Sequence, residues 1–171
     1  MAPAERGRPS AAVLSSRLEA AGWAHVLRAA GRTVVFTNGC FDVLHPGHAH
    51  LLEKAAALGD ACLVGINSDA SVRRLKGPGR PLMTLNDRAR LLLAVRWVDR
   101  VVPFEEDTPL ELIRAVRPHV LVKGGDYAPG EVVGGGDVAG WGARVEIIPF
   151  LEGFSTTRFL ERLRDGFAKE S

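Results

Sequence analysis

Apolar residues are distributed along the chain in two alternating ways. Short, nearly unbroken apolar runs occur at 33–37, 61–66, 100–103, 120–122 and 145–148, the signature of strands buried on both faces. Between them lie segments with helical spacing. Residues 47–58 carry Leu51, Leu52, Ala55 and Leu58; a segment capped by Thr84 or Asn86 turns Leu91, Leu92 and Val95 inward; others cover 70–75, 107–116 and about 155–167. Strands alternating with helices predict an α/β architecture, a parallel five-stranded sheet with helices on both faces. Upstream, residues 10–30 hold Val13, Leu14, Leu18, Trp23, Val26 and Leu27, which predicts one or two amphipathic helices interrupted near Gly22.

The polar stretches punctuate this pattern. Gly59 is expected to close the helix before the second strand. Asn67, Ser68 and Asp69 form a polar cluster able to cap a short helix, which is as good an account of them as ligand contact. Residues 76–81 hold two glycines and two prolines and must be a loop. Residues 131–142 contain five glycines and predict loose helix at most. The domain reading is a disordered tail at 1–9, an N-terminal helical extension at 10–32 and the α/β domain at 33–171.

Composition narrows the function only slightly. A chain of 171 residues with 46% hydrophobic and 25% charged content suits one soluble domain. A net charge of +2 gives no bulk argument for nucleic acid or for an acidic membrane surface. No apolar run approaches the roughly 20 residues of a membrane span, and the first residues lack a signal peptide's apolar core. Cys40 and Cys62 fit a reducing compartment better than a disulfide framework. A cytoplasmic protein without nucleic-acid or membrane partners is therefore expected, and a homodimer is compatible with all of this.

The candidate chemistry centres on residues 37–48, Thr-Asn-Gly-Cys-Phe-Asp-Val-Leu-His-Pro-Gly-His. This is a strand, a glycine-bearing turn and a helix start, where unpaired backbone N–H groups and the helix dipole attract phosphate. His45 and His48 are spaced to face one ligand and to donate to phosphate oxygens. A pair of surface histidines is the plain alternative; a metal site recruiting Asp42 or Cys40 is another. Lys76 and Arg80 lie in the second glycine-rich loop. Arg88 falls in the first turn of its helix, where a cation opposes the dipole, so a bound anion would relieve it. Loops 37–48, 67–80, 123–127 and 153–157 all follow strands and converge at their carboxyl ends, where such sheets bind ligands.

Residues 38–42 with His45, Pro46, Gly47 and His48 resemble the signature of the cytidylyltransferase-like nucleotidyltransferases, and the fold this implies is Rossmann-like. Further blocks at 67–71, 75–77, 80–81, 87–88, 105–109, 121–127 and 155–157 resemble D-glycero-D-manno-heptose 1-phosphate adenylyltransferases, which occur alone or as the C-terminal half of a bifunctional heptose enzyme. The likeness covers about 33–163 and departs from the family at Gly134, Gly135 and Gly136, where polar helical residues are usual. The resemblance implies transfer of AMP from ATP, with Mg2+, to a sugar 1-phosphate. It implies catalytic roles for His45, His48 and Lys76. It implies nucleotide contacts from Asn38, Gly39, Cys40, Phe41, His45, His48, Lys123, Gly124, Asp126, Ser155, Thr156 and Thr157. Asp42, Arg80 and Arg88 would serve the sugar phosphate, and no carboxylate is singled out as a metal ligand.

Three other readings stand beside this one. A glycerol-3-phosphate cytidylyltransferase would use the same loops with another base and acceptor. A nucleotide-binding regulatory module would lack turnover, against which both histidines and Lys76 count. A fragment of a class I aminoacyl-tRNA synthetase shares a His-x-Gly-His element, but the chain is short for one and carries no lysine-serine motif.

Overall fold

A computed structural model of the chain describes residues 11–149 and Leu151. The strands are β1 (Ala12–Val13), β2 (Val34–Gly39), β3 (Ala61–Asn67), β4 (Arg100–Phe104), β5 (Val120–Gly124) and β6 (Arg144–Ile148). The helices are α1 (Arg17–Ala29), α2 (Pro46–Ala56), α3 (Asp69–Lys76), α4 (Leu85–Ala94), α5 (Leu110–Val116) and α6 (Gly135–Gly140). The six strands form one sheet in the order β1-β4-β3-β2-β5-β6, and every pairing is parallel.

Side-chain alternation along the strands divides the core into two layers. Val34 and Phe36 of β2 join Leu63, Val102 and Leu121 on one face, covered by Ala20 and Ala24 of α1, Leu112, Ile113 and Val116 of α5, and Val138 of α6. Val35 points the other way with Cys62, Val64, Val101 and Val122, beneath Leu52 and Ala55 of α2 and Ala89 and Leu92 of α4. Gly65 lies where a Cβ would come within 2.8 Å of the Phe36 ring and 3.2 Å of Leu112, so helix and sheet approach closely there.

The expected α/β sheet with helices on both faces is present, but it has six strands rather than five. The added strand is β1, paired with β4 through Ala12–Arg100 and Val13–Val101. Two residues are too short to show a period. Residues 10–32 are also no separate extension as far as they are described, since β1 sits in the sheet and α1 in the core. The helix α1 runs straight through Gly22. The expected tail at 1–9 and the last helix lie outside the described residues.

Local signals at helix ends hold with two shifts. Thr84 caps α4 by accepting from Asp87 N, while Ser68, rather than Asn67 or Asp69, caps α3 by accepting from Ser71 N. Gly59 does not close α2, which ends at Ala56 with Ala57 as its cap. Instead Gly59 packs against β2, where a Cβ would lie 2.6 Å from Val35 Cγ2.

The chain order creates the site. From β2 the chain moves outward to β3 and β4, then returns to place β5 on the opposite side of β2. The connections after β2 and β5 therefore diverge, leaving a crevice at the carboxyl ends of these two strands.

Candidate active site

A cleft of about 610 Å3 opens at that crevice. Its floor is the β2–α2 connection. Phe41 (φ 47) and Val43 (φ 65) adopt left-handed backbone conformations, at about 1–2 kcal/mol each for residues with a Cβ. The Phe41 side chain is buried in the α2-side core and anchors this turn. Val43 is β-branched, so nothing in its residue type announces the conformation. The outcome is a chain that doubles back from β2 and presents the amino end of α2 to the cleft.

Pro46 occupies the first turn of α2, and His45 is the N-cap in extended conformation. His45 Nδ1 accepts from the His48 amide at 3.4 Å. Its proton is thereby held on Nε2, which makes it a donor. The rings of His45 and His48 stack with centroids 3.7 Å apart, and Phe41 meets His48 at 5.1 Å. Burial pushes His48 down to about 4, the neighbouring His45 adds to this, and a backbone hydrogen bond with Val43 opposes it. Burial lowers His45 as well. Both imidazoles are thus neutral near pH 7, not cations, and His45 keeps its one N–H on Nε2.

This carries a pH dependence. A base whose folded pKa is depressed binds fewer protons folded than unfolded, so stability falls as pH drops from the ordinary histidine value of 6.5 toward about 4. Thermal melts of the ligand-free chain across that window should show this loss. His48→Gln should flatten part of it; an unchanged slope would mean that His48 is not held neutral by burial.

The cleft's other walls bring cations in. Lys76 ends α3, where a positive side chain suits the helix dipole, and Gly77 (φ 96) turns the chain away. Lys123 lies near the end of β5 with its Nζ 5.9 Å from the centre of the Tyr127 ring. Burial chiefly depresses its pKa, the nearby Lys76 contributes, and Cys40 acts in the opposite sense. Burial likewise raises the Cys40 thiol, which points away from an activated nucleophile. Asn38, Gly39, Cys40, Phe41 and Gly124 line the same cleft.

The three residues expected at the sugar phosphate sort differently. Arg80 lines the cleft, with Nε 2.6 Å from Asp42 Oδ2. Asp42 is buried and also accepts from the amides of Leu82 at 2.9 Å and Met83 at 3.1 Å. It therefore fastens the 80–83 loop to the histidine turn and orients Arg80, while itself lining the cleft.

Arg88 is a clear correction. Its side chain is fully buried and its guanidinium donates to Met83 O at 3.1 Å, Cys40 O at 2.6 Å, Asn67 O at 2.9 Å and Asp69 Oδ1 at 2.7 Å. Asp69 and three carbonyls, not a bound anion, offset the helix dipole. Asp126 is exposed and does not line the cleft, whereas Tyr127 does. Ser155, Thr156 and Thr157 lie outside the described residues.

The wall extends beyond the expected site residues. Asn67, Asp107, Thr108, Glu131 and Val132 also face the cleft. Residues 105–109 were conspicuous only through family likeness, and the glycines of 134–136 hid the approach of 131–133. For Asn67 the sequence leaves capping and ligand contact open, and it does not cap α3. Instead its Nδ2 donates to Ser71 Oγ at 3.0 Å, holding α3 against the end of β3. Among the described residues no group of three or more acidic, imidazole or thiol side chains could hold a metal ion, and no helix is long and apolar enough to cross a membrane.

The geometry agrees with comparisons against known proteins. Residues 36–140 match the family model described as cytidylyltransferase-like. The bifunctional protein HldE of Syntrophotalea carbinolica is 56% identical over 142 residues, covering 83% of this chain and 29% of that protein. HldE of Trichlorobacter lovleyi is 56% identical over 143 residues, with coverages of 84% and 29%. The chain thus spans less than a third of the length of these curated relatives. A solved lipopolysaccharide core biosynthesis protein from Thermoplasma volcanium superposes with a TM-score of 0.58 at 27% identity, covering 71% of this chain and 98% of that one. With the family model spanning strands β2 to β5 and both cleft histidines inside it, the chain belongs to the cytidylyltransferase-like family of nucleotidyltransferases.

Proposed function

We propose that the chain transfers AMP from ATP to D-glycero-D-manno-heptose 1-phosphate, giving ADP-heptose and pyrophosphate. The observation that carries the nucleotidyl-transfer part is the stacked His45–His48 pair at the amino end of α2, opening into a cleft that also holds Lys76, Lys123 and Arg80. Adenine and heptose rest on the 105–109 and 122–127 blocks, and the 56% identity to HldE supports the same reading.

A phosphate oxygen of the sugar 1-phosphate attacks the α-phosphorus of ATP. The new P–O bond forms as the bond to the bridging oxygen breaks, and the electron pair leaves on pyrophosphate. The attacking group is already an anion, so no general base is needed. The protein's share is positioning and stabilisation of developing charge. His45 and His48 donate to the triphosphate, Lys76 neutralises charge in the transition state, and Lys123 with its loop lies beside base and ribose. Arg80, held by Asp42, receives the acceptor phosphate. Ser155, Thr156 and Thr157 are assigned to the β- and γ-phosphates on family likeness. Magnesium supplies charge neutralisation on the leaving pyrophosphate when bound; the side chains here suit an ion held by phosphate oxygens and water, since Asp42 is committed to Arg80. A substrate such as ATP implies a cytoplasmic site of action.

The test is pyrophosphate release from each of four nucleoside triphosphates against heptose 1-phosphate and glycerol 3-phosphate. ATP with the heptose should give the highest kcat/KM. Glycerol 3-phosphate should be poor, because a site built around sugar hydroxyls leaves polar groups unpaired with a smaller acceptor. Preference for CTP with glycerol 3-phosphate would overturn the heptose assignment alone. No release with any pair would overturn the enzyme.

A further inference from the structure

A second cleft lies at the opposite end of the sheet, where β2, β5 and β6 begin. It has a volume of about 570 Å3 and is lined by Arg28, Arg117, Arg144, His25, His119 and Trp141, with no carboxylate among its lining residues. The active cleft differs in that Asp42, Asp107 and Glu131 stand among its cations.

Local structure accounts for these basic residues only in part. Arg28 donates through Nη1 to Val116 O at 2.9 Å and Arg117 O at 2.8 Å, closing the carboxyl end of α5. Arg144 pairs with Glu146 at 2.9 Å on an exposed strand, where such a pair holds its charge weakly. Arg117 has no carboxylate partner among the described residues; its guanidinium lies 5.3 Å from the centre of the Trp141 ring. Trp141 is fixed in turn by its indole N–H donating to Pro118 O at 3.2 Å. His119 Nδ1 accepts from the Val34 amide at 2.9 Å, which leaves Nε2 as the donor.

The position of Arg117 adds a separate argument. It caps α5 in the left-handed conformation, φ 48 and ψ 62, where glycine costs least. An arginine there carries about 1–2 kcal/mol of backbone strain that helix closure does not require. The strain places a cation beside an aromatic plate in a cleft already containing two other arginines.

We infer that this cleft is a second anion site, which binds a phosphorylated small molecule through Arg28, Arg117 and Arg144. Guanidinium forks match phosphate oxygens in pairs, and three of them call for a multiply charged group rather than a single carboxylate. The site stands at the amino ends of the strands, so its ligand cannot touch atoms reacting at the carboxyl ends. The inference does not depend on the proposed reaction.

The experiment titrates the intact chain with inorganic pyrophosphate and, separately, with glucose 6-phosphate, following tryptophan fluorescence. A saturable change is expected that disappears in Trp141→Phe. In Arg117→Gly the dissociation constant should rise about tenfold or more, the scale of one lost charge-assisted hydrogen bond. The melting temperature of that variant should stay level or increase, because glycine relieves the strain, so weaker binding cannot be blamed on misfolding. A response to pyrophosphate alone assigns a diphosphate ligand, and a response to the sugar ester assigns a phosphate monoester. No response to either, or equal affinity in Arg117→Gly and the unaltered chain, would overturn the site.

Discussion

His48→Ala should lower kcat by about a hundredfold or more, the scale of losing one preorganised donor to developing charge. His48 is neutral, is held between Phe41 and His45, and sits three residues from the N-cap of α2. A ring fixed in place before the substrate arrives need not reorganise in the transition state. Truncation also removes the ring stacking, at a stability cost of about 1 kcal/mol, which leaves the fold in place. Steady-state pyrophosphate release, with the far-ultraviolet circular dichroism spectrum and melting temperature as controls, checks this. Turnover near that of the unaltered chain in a folded His48→Ala protein would remove His48 from the mechanism.

Arg88→Met should destabilise the chain by about 3–5 kcal/mol, since each buried acceptor left without its donor costs about 1–3 kcal/mol. Methionine fills a similar volume but leaves the carbonyls of Cys40, Asn67 and Met83 without their donor, and Asp69 without its cation. The effect should reach the active cleft too. Arg88 ties the end of β2, the end of β3 and the loop before α4 to one group, and both Cys40 and Asn67 line that cleft. Urea unfolding measures the loss. A change below about 1 kcal/mol would show that the guanidinium is not committed internally and would restore it as an anion-binding candidate.

Arg88 also illustrates where sequence reasoning stopped. A cation in the first turn of a helix is anomalous by local rules, and that anomaly was visible in the residues alone. Its resolution was not, because the partners lie as far away as Cys40, 48 residues earlier in the chain. Arg80 was equally conspicuous, and the structure does place it at the cleft, held by Asp42. Nothing in the order of residues separates these two arginines. The backbone at Phe41 and Val43 is a similar case: no glycine marks the left-handed turn that presents α2 to the cleft.

By itself the sequence determined what depends on near neighbours. Apolar runs marked the five longer strands. The helical spacing of Leu51, Leu52 and Ala55 marked α2. These features are local because they arise from backbone geometry and side-chain spacing. Tertiary structure alone decided that Ala12 and Val13 extend the sheet, that Asp42 serves a loop forty residues away, and which cations remain available to a ligand. Strand pairing and charge compensation act between groups close in space, so their outcome depends on how the chain returns on itself.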